Sequence, residues 1–180
     1  MLYAETLKLV SRLPERQPAA SLPSRLDELF DKLLACAGPA EAAPIEDAIW
    51  NAWMYDTHEG AELALERASA DIAARRFDIA ETRLAILVRR RPDWAEAWNK
   101  QATLYYLLER DDESVAAIQR TLEIEPRHFG AMCGLGEILR CKGELEAARL
   151  AFGMALRVYP LLGSVRQTLL AMQQKSRSRQ

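Results

Sequence analysis

The side chains with chemistry to offer are few and scattered. The 180 residues hold two histidines, His58 and His128, and three cysteines, Cys36, Cys133 and Cys141. A structural zinc site needs four ligands, commonly as two closely spaced pairs. His128 and Cys133 could form one such pair, but nothing supplies the second, and no CxxC is present. Cys133 and Cys141 share one expected helix about 12 Å apart, at 1.5 Å rise per residue, which is too far for a disulfide. Serine, histidine and aspartate all occur, without a nucleophile elbow around any serine. The run GLGE at 134–137 lacks the strand and the glycine spacing of a phosphate loop. Both histidines fall at expected inter-helix turns and read as surface residues. Trp50 and Trp53 read as core anchors. The sequence predicts no enzyme, no cofactor and no metal.

Binding is the chemistry that remains. Glu96, Asn99, Lys100, Thr103, Tyr106 and Leu107 share one helical face, opposite the stripe Trp98, Ala102, Tyr105. On such a face Asn99 would hydrogen-bond a partner backbone and Tyr106 would pack or stack. Lys100 would meet carboxylates.

The elements that must position this face follow from the prolines. Pro92, Pro126 and Pro160 are spaced 34 apart, which divides the chain into units 61–94, 95–128 and 129–162. A small residue recurs at the eighth position (Ala68, Ala102, Gly136) and at the twentieth (Ala80, Ser114, Ala148). A large apolar residue recurs at the twenty-fourth: Leu84, Ile118, Phe152. Trp98, Ala102 and Tyr105 at i, i+4, i+7 define one helix; Val115, Ile118 and Leu122 at i, i+3, i+7 define another. Each unit is therefore two antiparallel helices. Small residues let them approach, large ones fill the space to the next pair, and proline ends the second helix. A helix pair cannot bury both faces alone, so pairs stack.

Upstream, residues 1–23 read as a short helix over 3–12 followed by a proline-rich linker. Residues 24–60 read as two helices, over 24–38 and 44–56, forming a cap or a degenerate repeat. Asp47, Ile49, Trp50, Trp53 and Met54 would then form a stripe packing on the first unit. Residues 163–180 supply a capping helix and a basic tail with Lys175, Arg177 and Arg179. Such a short tail reads as solvated, so no nucleic-acid partner is expected.

The repeat pattern resembles the tetratricopeptide repeat. Met132, Leu135, Gly136, Leu139, Gly143, Ala148, Phe152, Ala155 and Pro160 all fall on that family's positions in the third unit. Trp98, Ala102, Tyr105, Ser114, Ile118 and Pro126 do so in the second. The first unit departs, with Asp71 where an aromatic is usual and Arg67 where leucine is. The run from Ala95 also resembles small bacterial members of the superfamily. The resemblance implies an all-α, right-handed solenoid of three helix–turn–helix units with an N-terminal helical cap and a C-terminal capping helix. It also implies a concave groove that binds a peptide or helical segment. The groove residues it implies are Glu66 and Ser69 in the first unit. The second supplies Glu96, Asn99, Lys100, Thr103, Tyr106 and Leu107, and the third Glu137 and Arg140. The carboxylate clamp of chaperone-binding members falls on Leu65, Ser69, Lys100, Gly130 and Gly134. Only one of these is a cation, which argues against a chaperone-tail adaptor.

The function expected is non-catalytic protein–protein interaction, as an adaptor or scaffold. The alternative is a secretion-type chaperone holding an unfolded client segment, dimeric through its N-terminal third. A monomer or a homodimer fits either. Residues 1–60 carry a net −5 and residues 61–180 a net +3. No stretch reaches the roughly 20 apolar residues of a membrane span, and the N-terminus lacks the apolar core of a secretory signal. The expected compartment is cytoplasmic, or periplasmic if a leader is missing.

Overall fold

The computed structural model describes residues 1–177, with side chains through Gln174; Arg179 and the side chains of Lys175 and Arg177 lie outside the described residues. Every regular element among them is helical. Three helix pairs form the repeats: α4 (Ala61–Ala73) with α5 (Phe77–Arg90), α6 (Ala95–Leu107) with α7 (Asp111–Ile124), and α8 (Phe129–Cys141) with α9 (Leu145–Val158). Before them come α1 (Leu2–Ser11), α2 (Arg25–Ala35) and α3 (Pro39–Met54); after them comes α10 (Gly163–Arg177).

The periodicity has a visible packing basis. Within each pair the eighth and twentieth residues are buried at the helix–helix contact. Ser114, the one polar residue of that set, is tolerated because its hydroxyl donates to the Ala102 carbonyl at 2.9 Å. A Cβ on Gly136 would stand 2.6–2.8 Å from three ring atoms of Phe152, so hydrogen is all that fits between them.

The turn inside each unit repeats as closely as the helices do. Arg75, Glu109 and Gly143, 34 residues apart, all adopt positive φ, at 56°, 58° and 82°. After each, the next amide bonds back to the carbonyl five residues earlier: Arg76 to Asp71, Arg110 to Tyr105, Glu144 to Leu139. This is the Schellman closure, which satisfies the last carbonyls of the first helix. Asp71, the first unit's departure from the family pattern, is buried and held by Arg76 (Nε–Oδ1 2.9 Å) and Arg83 (Nε–Oδ2 2.8 Å). The hydrogen bond from Arg76, helped by Arg83 against burial, holds its carboxyl below the usual range.

The N-terminal third wraps the repeats. Helix α1 lies against α7 and α9, the second helices, with Val10 and Thr6 buried. Thr6 Oγ1 donates to Gln119 Oε1 at 3.2 Å, and Tyr3 OH to Asp112 Oδ1 at 2.9 Å. The segment 13–23 opens with a 3₁₀ turn at Leu13–Glu15 and then binds the repeat edge. There the Ala19 amide donates to the Ile124 carbonyl at 2.8 Å. Helix α3 starts five residues before the expected 44, with Pro39 in its first turn, and tolerates Pro44 inside. It packs on α2, on α6 and on the start of α8. The stripe of Trp50 and Trp53 therefore meets the third repeat, not the first, because Gly130 leaves room for an indole: a Cβ there would lie 2.7 Å from Trp50 Cη2. Met54 alone of that stripe reaches the core of the first repeat. Helix α10 packs on α9 with Val165 and Met172 buried.

Glycine-to-alanine substitutions should change sign with position. Gly143→Ala forces a side chain into the left-handed region and is expected to lower stability by about 1 kcal/mol. Gly153→Ala, inside α9 with open space at the Cβ site, should raise it by roughly 0.5–1 kcal/mol. Urea unfolding of both variants checks the pair; equal signs would contradict the turn assignment.

Candidate functional site

The faces of α6 and α8 that α3 crosses carry a buried polar cluster. Glu96, in the first turn of α6, is fully buried, and so is His128, which caps α8. His128 Nδ1 accepts the Ala131 amide at 3.1 Å, so the proton sits on Nε2, which donates to Glu96 Oε2 at 2.9 Å. Asn99 Nδ2 donates to the same oxygen at 3.1 Å, and Lys100 Nζ lies 3.0 Å from Oε1. Burial opposes the Glu96 charge, but the hydrogen bond from His128 and the charge of Lys100 outweigh it and hold the carboxyl below its ordinary range.

Aromatic rings roof this cluster. Trp53 stacks on the His128 ring, centroids 4.0 Å apart and planes 12° from parallel. Trp50 meets Trp53, His128 and Phe129 edge-on at 5.0, 5.7 and 5.4 Å. Lys100 Nζ is 5.9 Å from the Trp50 ring centre. Trp94 Nε1 donates to the Trp53 carbonyl at 2.8 Å and ties the end of α3 to the start of α6. Farther along, Tyr159 OH donates to Glu46 Oε2 at 2.9 Å.

Two sequence expectations are corrected here. His128 is a buried capping and bridging residue, not a surface turn residue. Glu96 and Asn99, expected on an open groove face, are buried at 0% and 8% exposure, and Lys100 is turned onto Glu96. The reason is the same in each case: the chain's own α3 and His128 cover that end of the face.

The rest of the face is open. Thr103, Tyr106 and Leu107 are exposed on α6, Glu66 is exposed on α4, and Ser69, Glu137 and Arg140 are half-buried. Arg140 grips Glu137 through two contacts, Nε–Oε2 at 3.0 Å and Nη2–Oε1 at 2.5 Å. Between α6 and α8 lies a cleft of about 80 Å³, lined by Asn99, Thr103, Tyr106, Gly134 and Ile138 among others. Gly134 keeps it open, with Ile118 Cδ1 3.6 Å from where a Cβ would stand. The Tyr106 hydroxyl is pushed up by partial burial and by Cys141 and Glu137, so it is a neutral donor at neutral pH.

A tetratricopeptide repeat profile matches residues 65–126. A TPR repeat-containing protein of Rhizobium etli is 32% identical over 146 residues, covering 81% of this chain and 72% of that protein. The chain belongs to the tetratricopeptide-repeat family. Repeats of this family generally mediate protein–protein interaction. No group of three or more His, Cys, Asp or Glu that could hold a metal ion occurs among the described residues, and no helix there is long and apolar enough to cross a membrane. All three cysteines are unpaired. Half-buried Cys133 has its thiol pushed up to about 12 by desolvation and by the nearby Glu46, which makes it unreactive as a nucleophile.

In this tetratricopeptide-repeat protein the roofed glutamate, which no local pattern announced, ties the first turn of α6 to the cap of α8 through His128. Its ionisation stabilises the fold above the ordinary glutamate range and is lost as pH falls through the depressed value. Glu96→Gln should therefore be less stable than wild type at neutral pH. The gap should close in acid, below about pH 4.5. Chemical denaturation across a pH series measures it, and a gap independent of pH would contradict the assignment.

Proposed function

We propose that the protein is a non-catalytic interaction module that binds a short extended or helical segment on the part of the concave face left free by α3. The observation that carries this is the cleft between α6 and α8, flanked by exposed Tyr106 and Leu107 and by the Glu137–Arg140 pair. An apolar side chain of the partner would enter the cleft beside Gly134. Thr103 and the Tyr106 hydroxyl offer hydrogen bonds to its backbone. Arg140, already sharing its charge with Glu137, could add a carboxylate at the rim. Tyr and Arg are the residue types that most often anchor interfaces.

The covered end sets a limit on the ligand. Glu96, Asn99 and Lys100 are engaged within the chain, so the usable floor runs from Ser69 through Thr103, Tyr106 and Leu107 to Glu137 and Arg140. A short segment suits that floor. The N-terminal third lies on its own repeats, which supports an adaptor over a chaperone whose N-terminal arm is free to pair.

The test begins with peptides selected from a random display library on the immobilised full chain, followed by fluorescence anisotropy with the best binders. Tyr106→Ala should weaken binding at least tenfold, and Arg140→Glu should weaken binders that carry an acid. Circular dichroism confirms that each variant is folded. Selected peptides that bind both variants as they bind wild type would remove the groove from consideration.

A further inference from the structure

Helix α5 presents an exposed face that the rest of the fold leaves uncovered. Ile79 and Ile86 are 46% and 39% exposed, and Asp78, Thr82, Ala85 and Arg89 beside them are also exposed. These six positions form one stripe, since residues three, four and seven apart share a helix face. A shallow depression along it is lined by Asp78, Glu81, Thr82, Ala85, Ile86 and Arg89, with Glu81 at its edge and paired to Arg110. The other second helices are treated differently: α1 lies against both α7 and α9. At the place equivalent to Ile86, α9 carries Met154, which is 8% exposed.

The charges on the α5 stripe are arranged by end. Asp78 stands at its start and Arg89, with Arg90, at its finish; none of the three makes an ion pair among the described residues. Their neighbours are spoken for, Arg83 by Asp71 and Glu81 by Arg110. The stripe is thus acidic at one end, apolar in the middle and basic at the other. Such a surface complements itself when two copies meet antiparallel about a two-fold axis. Asp78 of each copy then faces Arg89 of the other, and the isoleucines with Thr82 and Ala85 fill the centre. A parallel arrangement would set Asp78 against Asp78 and Arg89 against Arg89, which like-charge repulsion disfavours.

We infer that the exposed face of α5 is the surface through which two copies of this chain pair, antiparallel and symmetric. The small, low-relief residues Thr82 and Ala85 at the centre allow the helices to approach. The charge pairs at the two ends fix the direction and register. Because they are exposed, added salt weakens the pairing.

The test is the molar mass of the full chain by light scattering and sedimentation across a concentration series. Wild type should move toward twice its 20.3 kDa. Asp78→Arg and Arg89→Asp should each remain monomeric, with circular dichroism showing the fold intact. The double variant, with the charges exchanged, should pair again. Mixing the two single variants should give a one-to-one heterodimer, since each then supplies the charge the other lacks. Wild type that stays monomeric throughout, single variants that still pair, or a double variant that does not pair would each overturn the inference.

Discussion

One buried carboxylate cross-links the second and third repeats beneath the aromatic roof that α3 lays over them. Glu96 sits in the first turn of α6, where the helix dipole favours an acid, yet it has no access to water. A carboxylate in that position is tolerable only if other groups replace the water it has lost. His128, Asn99 and Lys100 do so, and they arrive through two different constraints. Lys100 and Asn99 arrive by helix spacing on α6 itself. His128 arrives because it caps α8, and its capping bond leaves the other nitrogen as the donor. The second and third repeats are therefore cross-linked by a polar bond as well as by stacked apolar faces. That polar roof is then closed by the indoles of α3.

This arrangement accounts for the path of the N-terminal third. A solenoid of three pairs has two exposed ends, and the C-terminal one is covered by α10. The N-terminal segment does not stack as a further pair. It runs from the second-helix face, along the repeat edge, to the first-helix face, and so braces the second and third repeats from both sides. One hydrophobic core unites α1, α2 and α3 with those repeats, and a separate one is centred on the first. The first repeat consequently depends on its neighbour α6 and on local ion pairs such as Asp71 with Arg76 and Arg83. It is the unit with the least cover, and the one whose family pattern is weakest.

The repeats were legible because their constraints are local and periodic. Proline at a fixed interval, small residues at the helix crossing and a large residue beside them impose the helix starts at Ala61, Ala95 and Phe129 with little help from the rest of the chain. Gly136 could be understood from its place in the period, and the structure supplies the ring it accommodates. The site was less legible. Glu96, Asn99 and Lys100 have the spacing of a solvated face, and only the placement of α3 turns two of them inward. Nothing in the sequence near Trp50 points to Gly130, eighty residues later. The one available hint was Gly130 itself, a helical glycine with no turn to make and no partner within its own repeat that needs the space. His128 misled for a related reason: a turn position predicts exposure only when nothing else crosses the turn.

Specific charge pairs, rather than net charge, connect the N-terminal third to the repeats. Asp27 on α2 meets Arg127 at 2.6 Å, and Arg127 in turn lies over the Phe30 ring, 4.5 Å from its centre. Asp56, after α3, is buried against Arg91 at the end of α5. An exposed pair such as Asp27–Arg127 contributes little, roughly 0–1 kcal/mol, and the attraction in the buried Asp56–Arg91 pair is offset by the cost of desolvating its charges, so neither holds the arm down by itself. Their role is orientation. They fix where α2 enters and where α3 leaves, and between those two points the indoles of Trp50 and Trp53 can reach only one place, the roof over Glu96. Apolar burial then supplies the strength, and the charges supply the direction from which it is approached.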